Sequence, residues 1–326
     1  SRIETPCYNF RMHNKICALL FVFLGSFSFA FNVNKVNGGM SISYLDFSVA
    51  GSVLPLELQR TYNSITSIQE NTGWNGAFGW GWTSAFESVL TVTPEKTVIL
   101  RDGFSGNAIT FKPLKEDPKD KEEFYGRIKE AYYRNKMGRK VKPDELARLA
   151  LPEKILTRLK NDPQFRVELA LKLGLKGEAP KGETLVSNEY GLQIIRFENG
   201  QWTREKDQVT QIYDSEGRLV KQKDKNGFQF ELKYNRLQRY QIAEIVSPEN
   251  GTSLKLNWRK EKIIEVQDNR GKKAKYTYDT NGNLAQSSDS TGLQFKYFYE
   301  NKKFPHLLTK VEYTSEATGT DKPFRE

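Results

Sequence analysis

The sequence predicts a mainly β protein, built from repeated β-hairpins with an N-terminal β domain and a small inserted α-helical subdomain. Three observations lead there. Apolar and polar residues alternate at a period of two over most of the chain, as half-buried strands require. Glycine-containing turns recur at a nearly constant spacing in the C-terminal part. One internal stretch changes to helical spacing. Composition agrees: 15 Tyr, 20 Phe and 5 Trp with a mean hydropathy of −0.65 suit many short strands better than a helix bundle. A chain of 326 residues is long enough for several cores. The net charge of +10 comes from 50 basic and 40 acidic residues; it says little about fold.

Residues 1–30 form an upstream extension and an export signal. From Met12, Lys15 supplies a short positive region and Ile16 to Leu24 an apolar run. Ser28-Phe29-Ala30 then places small residues where a signal peptidase reads them, so cleavage is expected after Ala30, leaving Phe31 first. The run is short for a membrane span, which needs about 20 residues. An uncleaved anchor and a buried helix are the alternatives. A Sec-type signal directs the chain to the periplasm, the cell surface or the medium, and the membrane is met only through this segment. Both cysteines, Cys7 and Cys17, and one of two histidines, His13, lie within it. Its removal leaves His306 alone, which excludes Cys/His metal sites and cysteine nucleophiles. No cofactor is expected.

Residues 31–112 read as an N-terminal β domain. Ile42 and Tyr44, then Leu54, Leu56 and Leu58, alternate with small or polar residues, punctuated by Gly51 and Pro55. Ser88–Val92 and Thr97–Leu100 flank a turn at Thr93–Lys96, and Asp102-Gly103 marks another before Ala108–Phe111.

Residues 113–185 form a charged helical insert. Phe124, Ile128, Ala131 and Tyr132, then Phe165, Leu169 and Leu173, follow helical spacing. Asp162-Pro163 is a start signal, Gly174 a stop, and Pro152 divides the helix of 144–151 from the next. Arg127, Lys129, Arg134, Lys136, Arg139, Lys140 and Lys142 face a single acid, Glu130, with Tyr132 and Tyr133 interleaved. A solvated helix face is the favoured reading. Contact with an acidic protein or envelope surface is the second, and a nucleic-acid stripe the least favoured.

Residues 186–326 carry the repeat, with a period of about 21 residues. Tyr213-Asp214-Ser215-Glu216-Gly217-Arg218-Leu219 and Tyr278-Asp279-Thr280-Asn281-Gly282-Asn283-Leu284 share the form Y-D-x-x-G-[RN]-L. A glycine followed seven residues later by an aromatic occurs four times: Gly227/Tyr234, Gly251/Trp258, Gly271/Tyr278 and Gly292/Tyr299. In Asp224–Gly227, Asp268–Gly271 and Asp289–Gly292 the aspartate can bond its own downstream backbone while glycine takes positive φ. After each turn the apolar residues alternate: Phe228, Phe230, Leu232 and Tyr234, or Leu293, Phe295, Tyr297 and Tyr299. Each unit is thus a hairpin that cannot bury its apolar face alone, and stacked neighbours supply the cover. The unit from Tyr234 to Trp258 is degenerate, since Tyr234-Asn235-Arg236-Leu237 lacks the Asp and Gly.

This repeat resembles the YD repeats of Rhs proteins, a family that includes the C components of insecticidal toxin complexes and animal teneurins. Arg60-Thr61-Tyr62-Asn63-Ser64, followed by Gly76-Ala77-Phe78-Gly79-Trp80-Gly81-Trp82, resembles the domain that precedes the repeats in bacterial members. Asp46-Phe47 and Leu54-Pro55-Leu56 sit where that domain has its D-F and L-P-L strands. The likeness covers about 36–112 and 186–313. It implies a spiral β shell enclosing a C-terminal toxic domain, so the implied partners are the remainder of the shell and that toxin. The chain departs from the pattern in three ways. It has about four units, too few to close a shell; it ends at Glu326 without a cleavage motif or toxin; and it begins with an export signal. The expectation is the N-terminal part of a longer polypeptide or an incomplete relative.

No phosphate-binding glycine loop or nucleophile–base set stands out, so a non-enzymatic scaffold is expected. Tyr213, Asp214, Tyr278 and Asp279 recur with the fold period and read as turn residues, not acids and phenols of an active site. His306, beside Pro305, reads as structural. Trp74, Trp80 and Trp82 lie in a glycine-rich loop: packing over the first β layer is the favoured role, stacking on sugar rings the alternative. A secreted adhesion module binding glycan or cell-wall polymer is therefore the second functional reading. Nucleic acid is not an expected partner.

Overall fold

The computed structural model describes residues 30–33, 38–49, 56–68, 75–115, 118–175, 177–180, 182–249, 251–314 and 324–325. The apolar run 16–24 read as part of an export signal, Gly51, Leu54, Pro55 and Trp74 lie outside these residues.

The described residues begin with three antiparallel strands: β1 (Ala30–Val33), β2 (Met40–Val49) and β3 (Leu56–Asn63). A short helix, α1 (Ser64–Ile68), precedes the two-residue hairpin β4 (Asn75–Gly76) and β5 (Gly79–Trp80). Strand β6 (Trp82–Ser84) completes a sheet of order β1-β2-β3-β6. A 3-10 turn, Ala85–Glu87, leads into β7 (Val89–Val92), β8 (Val98–Arg101) and β9 (Ala108–Pro113).

Four helices follow: α2 (Pro118–Met137), α3 (Pro143–Arg148), α4 (Glu153–Asn161) and α5 (Pro163–Lys172). Asp162 caps α5 by accepting the Phe165 N–H at 3.0 Å. Helix α3 stops at Arg148, three residues short of the sequence reading, with Leu149 already extended. The helices have their own core, in which Phe124, Ile128, Ala131, Leu159 and Ala170 are buried. This excursion returns to where it left: β10 (Thr184–Ser187) pairs directly with β9, Leu185 opposite Pro113 and Val186 opposite Lys112.

The rest is strand after strand: β11 (Gln193–Glu198), β12 (Gln201–Lys206), β13 (Val209–Tyr213), β14 (Leu219–Asp224), β15 (Gln229–Tyr234), β16 (Ile242–Ser247), β17 (Thr252–Arg259) and β18 (Lys262–Asp268). Strands β19 (Lys273–Tyr278), β20 (Leu284–Ser288), β21 (Gln294–Phe298), β22 (Lys310–Thr314) and β23 (Phe324–Arg325) complete the series. From β7 to β23 each strand is antiparallel to the next in sequence order, forming one continuous sheet. The protein is mainly β, a hairpin-repeat sheet with a small helical insertion.

Two relationships go beyond the sequence reading. Strands β7–β9 of the 31–112 region continue into the same sheet as the repeats, because β9 pairs with β10 once the helices are set aside. Closure of the sheet does not rest on the four repeat units alone. With β7–β13 added, the sheet curls until it meets itself: Leu90 N–H donates to Gly217 O at 2.8 Å and Val89 bridges Arg218. The right-handed twist of successive strands supplies the curl.

Candidate functional site

The repeat turns share one geometry. In each of Asp214, Asp224, Asp268, Asp279 and Asp289, Oδ1 accepts the N–H groups of the residues two and four positions later. The glycine three positions on, namely Gly217, Gly227, Gly271, Gly282 or Gly292, donates its N–H to the aspartate carbonyl. These carboxylates are occupied in holding turns. Gly251 closes a different turn, on Ser247 O.

The aromatic landmarks perform a second task. Strand pairing slips by one residue at Tyr213, Tyr234, Trp258 and Tyr278. Each slip is a β-bulge, which interrupts the ladder. The next aromatic then reaches back to a carbonyl beside the bulge. Tyr234 Oη donates to Leu219 O at 2.8 Å, Trp258 Nε1 to Ile242 O at 2.7 Å, and Tyr278 Oη to Ile263 O at 2.6 Å. Tyr213 instead bonds Gln211, and Tyr299 accepts the Trp82 indole N–H at 3.0 Å.

The four-stranded sheet packs its apolar face on the buried face of the curled one, giving a single core. At the centre lies Arg60, fully buried. A bulge in β2 between Leu45 and Phe47 turns both Asp46 and Phe47 inward. Arg60 donates to Asp46 from Nε and Nη2, and Nη2 also reaches Ser287 and Tyr297 across the sheets. Tyr276 Oη donates to Asp46 at 2.7 Å. The guanidinium carbon lies 5.0 Å from the Trp82 ring centre and 5.2 Å from that of Tyr276. Burial alone would lower the Arg60 pKa, but Asp46 and the tyrosines hold it well above its ordinary value. Burial, then Asp46, pushes the Tyr276 phenol upward, so it stays a donor. The group is a charged joint between two sheets.

A second buried pair ties the β8–β9 turn to the other half: Arg204 donates to Asp102 at 3.2 Å, to Gln193 and to Gln211.

The other N-terminal motif residues serve the same packing. Thr61 Oγ1 bonds Ser43, and Asn63 Nδ2 bonds Ser105 O. Tyr62 Oη donates to His306 O at 2.9 Å and accepts the Leu308 N–H. Gly79 has φ +98, and a Cβ there would lie 2.9 Å from Gly282 O; one at Gly81 would meet the Tyr62 ring at 2.7 Å. Of the two described tryptophans in this loop, neither is fully open. Trp82 is fully buried, and one face of Trp80 is stacked on His306 at 4.3 Å between ring centres. Tyr133 is likewise no base-stacking group: it is buried in the helical core and its Oη bonds Ala150 O.

One cavity among the described residues is a feature that sequence reasoning missed. It has a volume of about 950 Å³ and lies among the 75–77 arm, β7, the end of α5, the Ser215–Arg218 turn and β15–β18. Leu90, Ile245, Leu256 and Ile263 give it mainly apolar walls, with Tyr234 and Trp258 alongside. Glu87 stands in the wall. Burial pushes its carboxyl up from 4.5 to about 7, although Oε1 accepts the Ala77 N–H at 2.7 Å and Oε2 the Ser84 N–H at 2.9 Å. Glu87 in a Ser-x-x-Glu sequence is legible as a capping box; its place in a cavity is not. Among the described residues no three His, Cys, Asp or Glu side chains are grouped to hold a metal ion, and no helix is long and apolar enough to cross a membrane.

Comparison with known proteins adds the following. A family described as a domain of unknown function, DUF6531, matches residues 32–111. A search of curated proteins found no significant match. Among solved structures, the Tc holotoxin pore of Photorhabdus luminescens matches at 9% identity and a TM-score of 0.28, over 88% of this chain and 14% of that one. TcdB2-TccC3 without its hypervariable C-terminal region matches at 10% and 0.29, over 87% and 19%. TcdB2-TccC3-Cdc42 matches at 11% and 0.29, over 90% and 15%. This chain therefore spans less than a fifth of the length of these chains.

Proposed function

We propose that the chain is the N-terminal part of an exported Rhs-type YD-repeat protein, acting as a non-enzymatic scaffold whose sheet encloses a C-terminal cargo. The observation that carries this is the unbroken sequence-ordered sheet that closes through Leu90 and Gly217. Five of its turns share the Asp-x-x-Gly geometry, and the Arg60–Asp46 joint ties the four-stranded sheet to its strands β19–β21 from within. The titratable groups that invite an acid–base reading are spent on structure: Asp214 and Asp279 on turns, Tyr278 on Ile263 O. Adhesion through exposed tryptophans is disfavoured by the burial of Trp82.

Limited proteolysis of the longest natural polypeptide that contains this chain tests enclosure. A cargo segment should stay protected until the sheet is denatured. Immediate digestion of everything beyond the repeats, with the sheet intact, would contradict the reading. Export is tested separately: a reporter fused after residue 40 should leave the cytoplasm in a Sec-dependent way with Phe31 as its new first residue. Retention of an uncut Met12-started chain in the membrane would reject cleavage.

A further inference from the structure

Charge is spread unevenly over the helical insert. Pro118 to Lys172 carries 15 basic and 9 acidic residues, and so holds six of the chain's ten net positive charges. Asp120, Glu122 and Glu123 stand in the first turns of α2, where Asp120 pairs with Lys96 of the β7–β8 turn. Arg134, Lys136, Arg139, Lys140 and Lys142 stand at and just beyond the other end. At about 1.5 Å per residue, about 16 Å of helix separates Glu123 from Arg134, with Glu130 the one acid between them. The insert is thus polarised along α2: acids at the end tied to the β7–β8 turn, cations at the other.

Residues 134–140 are all exposed, yet the turn they form is held in place. Gly138, with φ +67, follows the end of α2, and Val141 behind it is buried in the helical core. Arg139 donates to Glu145 at 2.7 and 3.0 Å, and Lys136 lies over the Tyr133 ring. Arg134, Lys140 and Lys142 pair with no acid among the described residues. One or two cations in the last turn suffice to complement a helix dipole; five go beyond that. Met137, 36% exposed, lies in their midst.

We propose that this basic turn is a contact site for an anionic phospholipid surface. Such contact adds a second membrane-facing segment to the expected export signal, and it is independent of what the sheet encloses. Nucleic acid is the poorer fit, because no ring is offered to a base: Tyr132 packs edge-on against Tyr133 at 5.2 Å, and Tyr133 is buried. A protein partner would have to be shaped to a wholly exposed turn, whereas mobile lipid headgroups adapt to it. Headgroup phosphates attract each cation near the surface, and Met137 can enter the boundary between headgroups and acyl chains.

Flotation of the full chain with phospholipid vesicles tests this contact. Partition onto vesicles of phosphatidylcholine and phosphatidylglycerol in equal parts should exceed partition onto pure phosphatidylcholine. The apolar run 16–24 can hold the chain on either vesicle, so the turn is measured by the excess on the anionic one. That excess should fall steeply as salt rises, because screening shortens the reach of each charge. Arg134→Gln, Lys136→Gln, Lys140→Gln and Lys142→Gln combined should weaken it roughly fivefold per cation, several-hundredfold in all. All four side chains are exposed, so the helical circular dichroism signal should be unchanged. A control with the same loss of charge on exposed positions of the repeat sheet, Lys255→Gln, Lys272→Gln, Lys275→Gln and Lys296→Gln, should change the excess no more than about twofold. Membrane contact through this turn is ruled out by an excess that is absent or insensitive to salt in the unaltered chain. It is equally ruled out by an excess that survives the four substitutions in the turn, or that the sheet control removes to the same degree. Tighter association with a DNA duplex or with polyglutamate than with the anionic vesicles, at matched anion concentration, would also overturn it.

Discussion

Tyr278 Oη donates to the main-chain oxygen of Ile263 at 2.6 Å, across a bulge where Trp258 opposes Ile263 and Ile264 is left over. The same reach joins Tyr234 to Leu219 and Trp258 to Ile242. Each repeat thus repairs the ladder of the one before it. That explains why an aromatic with a polar tip recurs at this position and a leucine does not.

Tyr278→Phe should separate the hydroxyl from the ring. It leaves two carbonyls, Ile263 O and Ala77 O, without this donor and should cost about 1–2 kcal/mol. Tyr278→Ala also removes the ring and should cost roughly 3–5 kcal/mol. Urea unfolding measures both, and a harmless Tyr278→Phe would deny the hydroxyl its linking role.

Gly217 and Gly271 occupy the same turn geometry, with φ +81 and +87, but only one is crowded. A Cβ at Gly271 meets nothing within 4 Å, so Gly271→Ala should cost only the backbone strain, about 1–3 kcal/mol. A Cβ at Gly217 would fall 2.0 Å from Leu90 O, where the sheet closes. Gly217→Ala should therefore be the more damaging, with exchange of the Leu90 amide accelerated. Equal losses would mean that closure adds nothing to stability.

Arg60→Met should cost about 3–5 kcal/mol, because it leaves Asp46 buried with Tyr276 as its remaining side-chain donor. Combining it with Asp46→Leu should cost much less than the sum of the single changes. Chemical denaturation of the three variants completes the cycle. Strict additivity would show that the two side chains do not act as a pair.

Global stability should carry the Glu87 signature. Its folded value, about 7, is above the unfolded 4.5, so the folded state holds the extra proton. This group's contribution is therefore fully present below 4.5 and is lost as pH rises through about 7. Relative to Glu87→Gln, the unaltered chain should lose stability over that interval. Denaturant midpoints at a series of pH values give the comparison, and a relative gain with rising pH would reverse the assigned sign.

Replacing residues 116–175 by a short Gly/Ser linker should remove the helical circular dichroism signal and retain the strand signal. The helices have their own core, and β9 and β10 pair without them. Polar contacts to the β7–β8 turn would be lost, among them Lys96–Asp120, Arg166–Glu95 and Arg127–Pro94 O. Exposed or rim pairs of this kind contribute little. Residues 177–180 are kept because Gly177 lies against the backbone of Val92 and Thr93. Loss of both signals together would make the helices part of the main core.

Much of this architecture was legible in one dimension because its causes are local. An aspartate that bonds its own downstream N–H groups, a glycine free to take positive φ and a period-two apolar face are properties of a few neighbouring residues. So are the Asp162 cap and the helical spacing of Phe124 and Ile128. The motif positions Asp46 and Arg60 were visible too, each on its own strand.

What each position meets was not legible. Nothing near Asp46 announces Tyr276, 230 residues away. Trp82 was expected to pack over the first β layer, but which surface covers it was not legible: Tyr297 and Tyr299 of the other sheet do so. Strands β7–β9 joined the repeat sheet only because the helices fold aside and return the chain to the β9 edge. Glu87 is a plain capping residue until the curled sheet builds a cavity beside it. The sequence by itself determined the hairpin unit, its turns and its period, since these depend on forces acting over a few bonds. Tertiary structure alone decided closure, the buried Arg60–Asp46 joint and the altered acidity of Glu87. Those depend on desolvation and steric contact between segments far apart in the chain, and local pattern carries no record of which surfaces will meet.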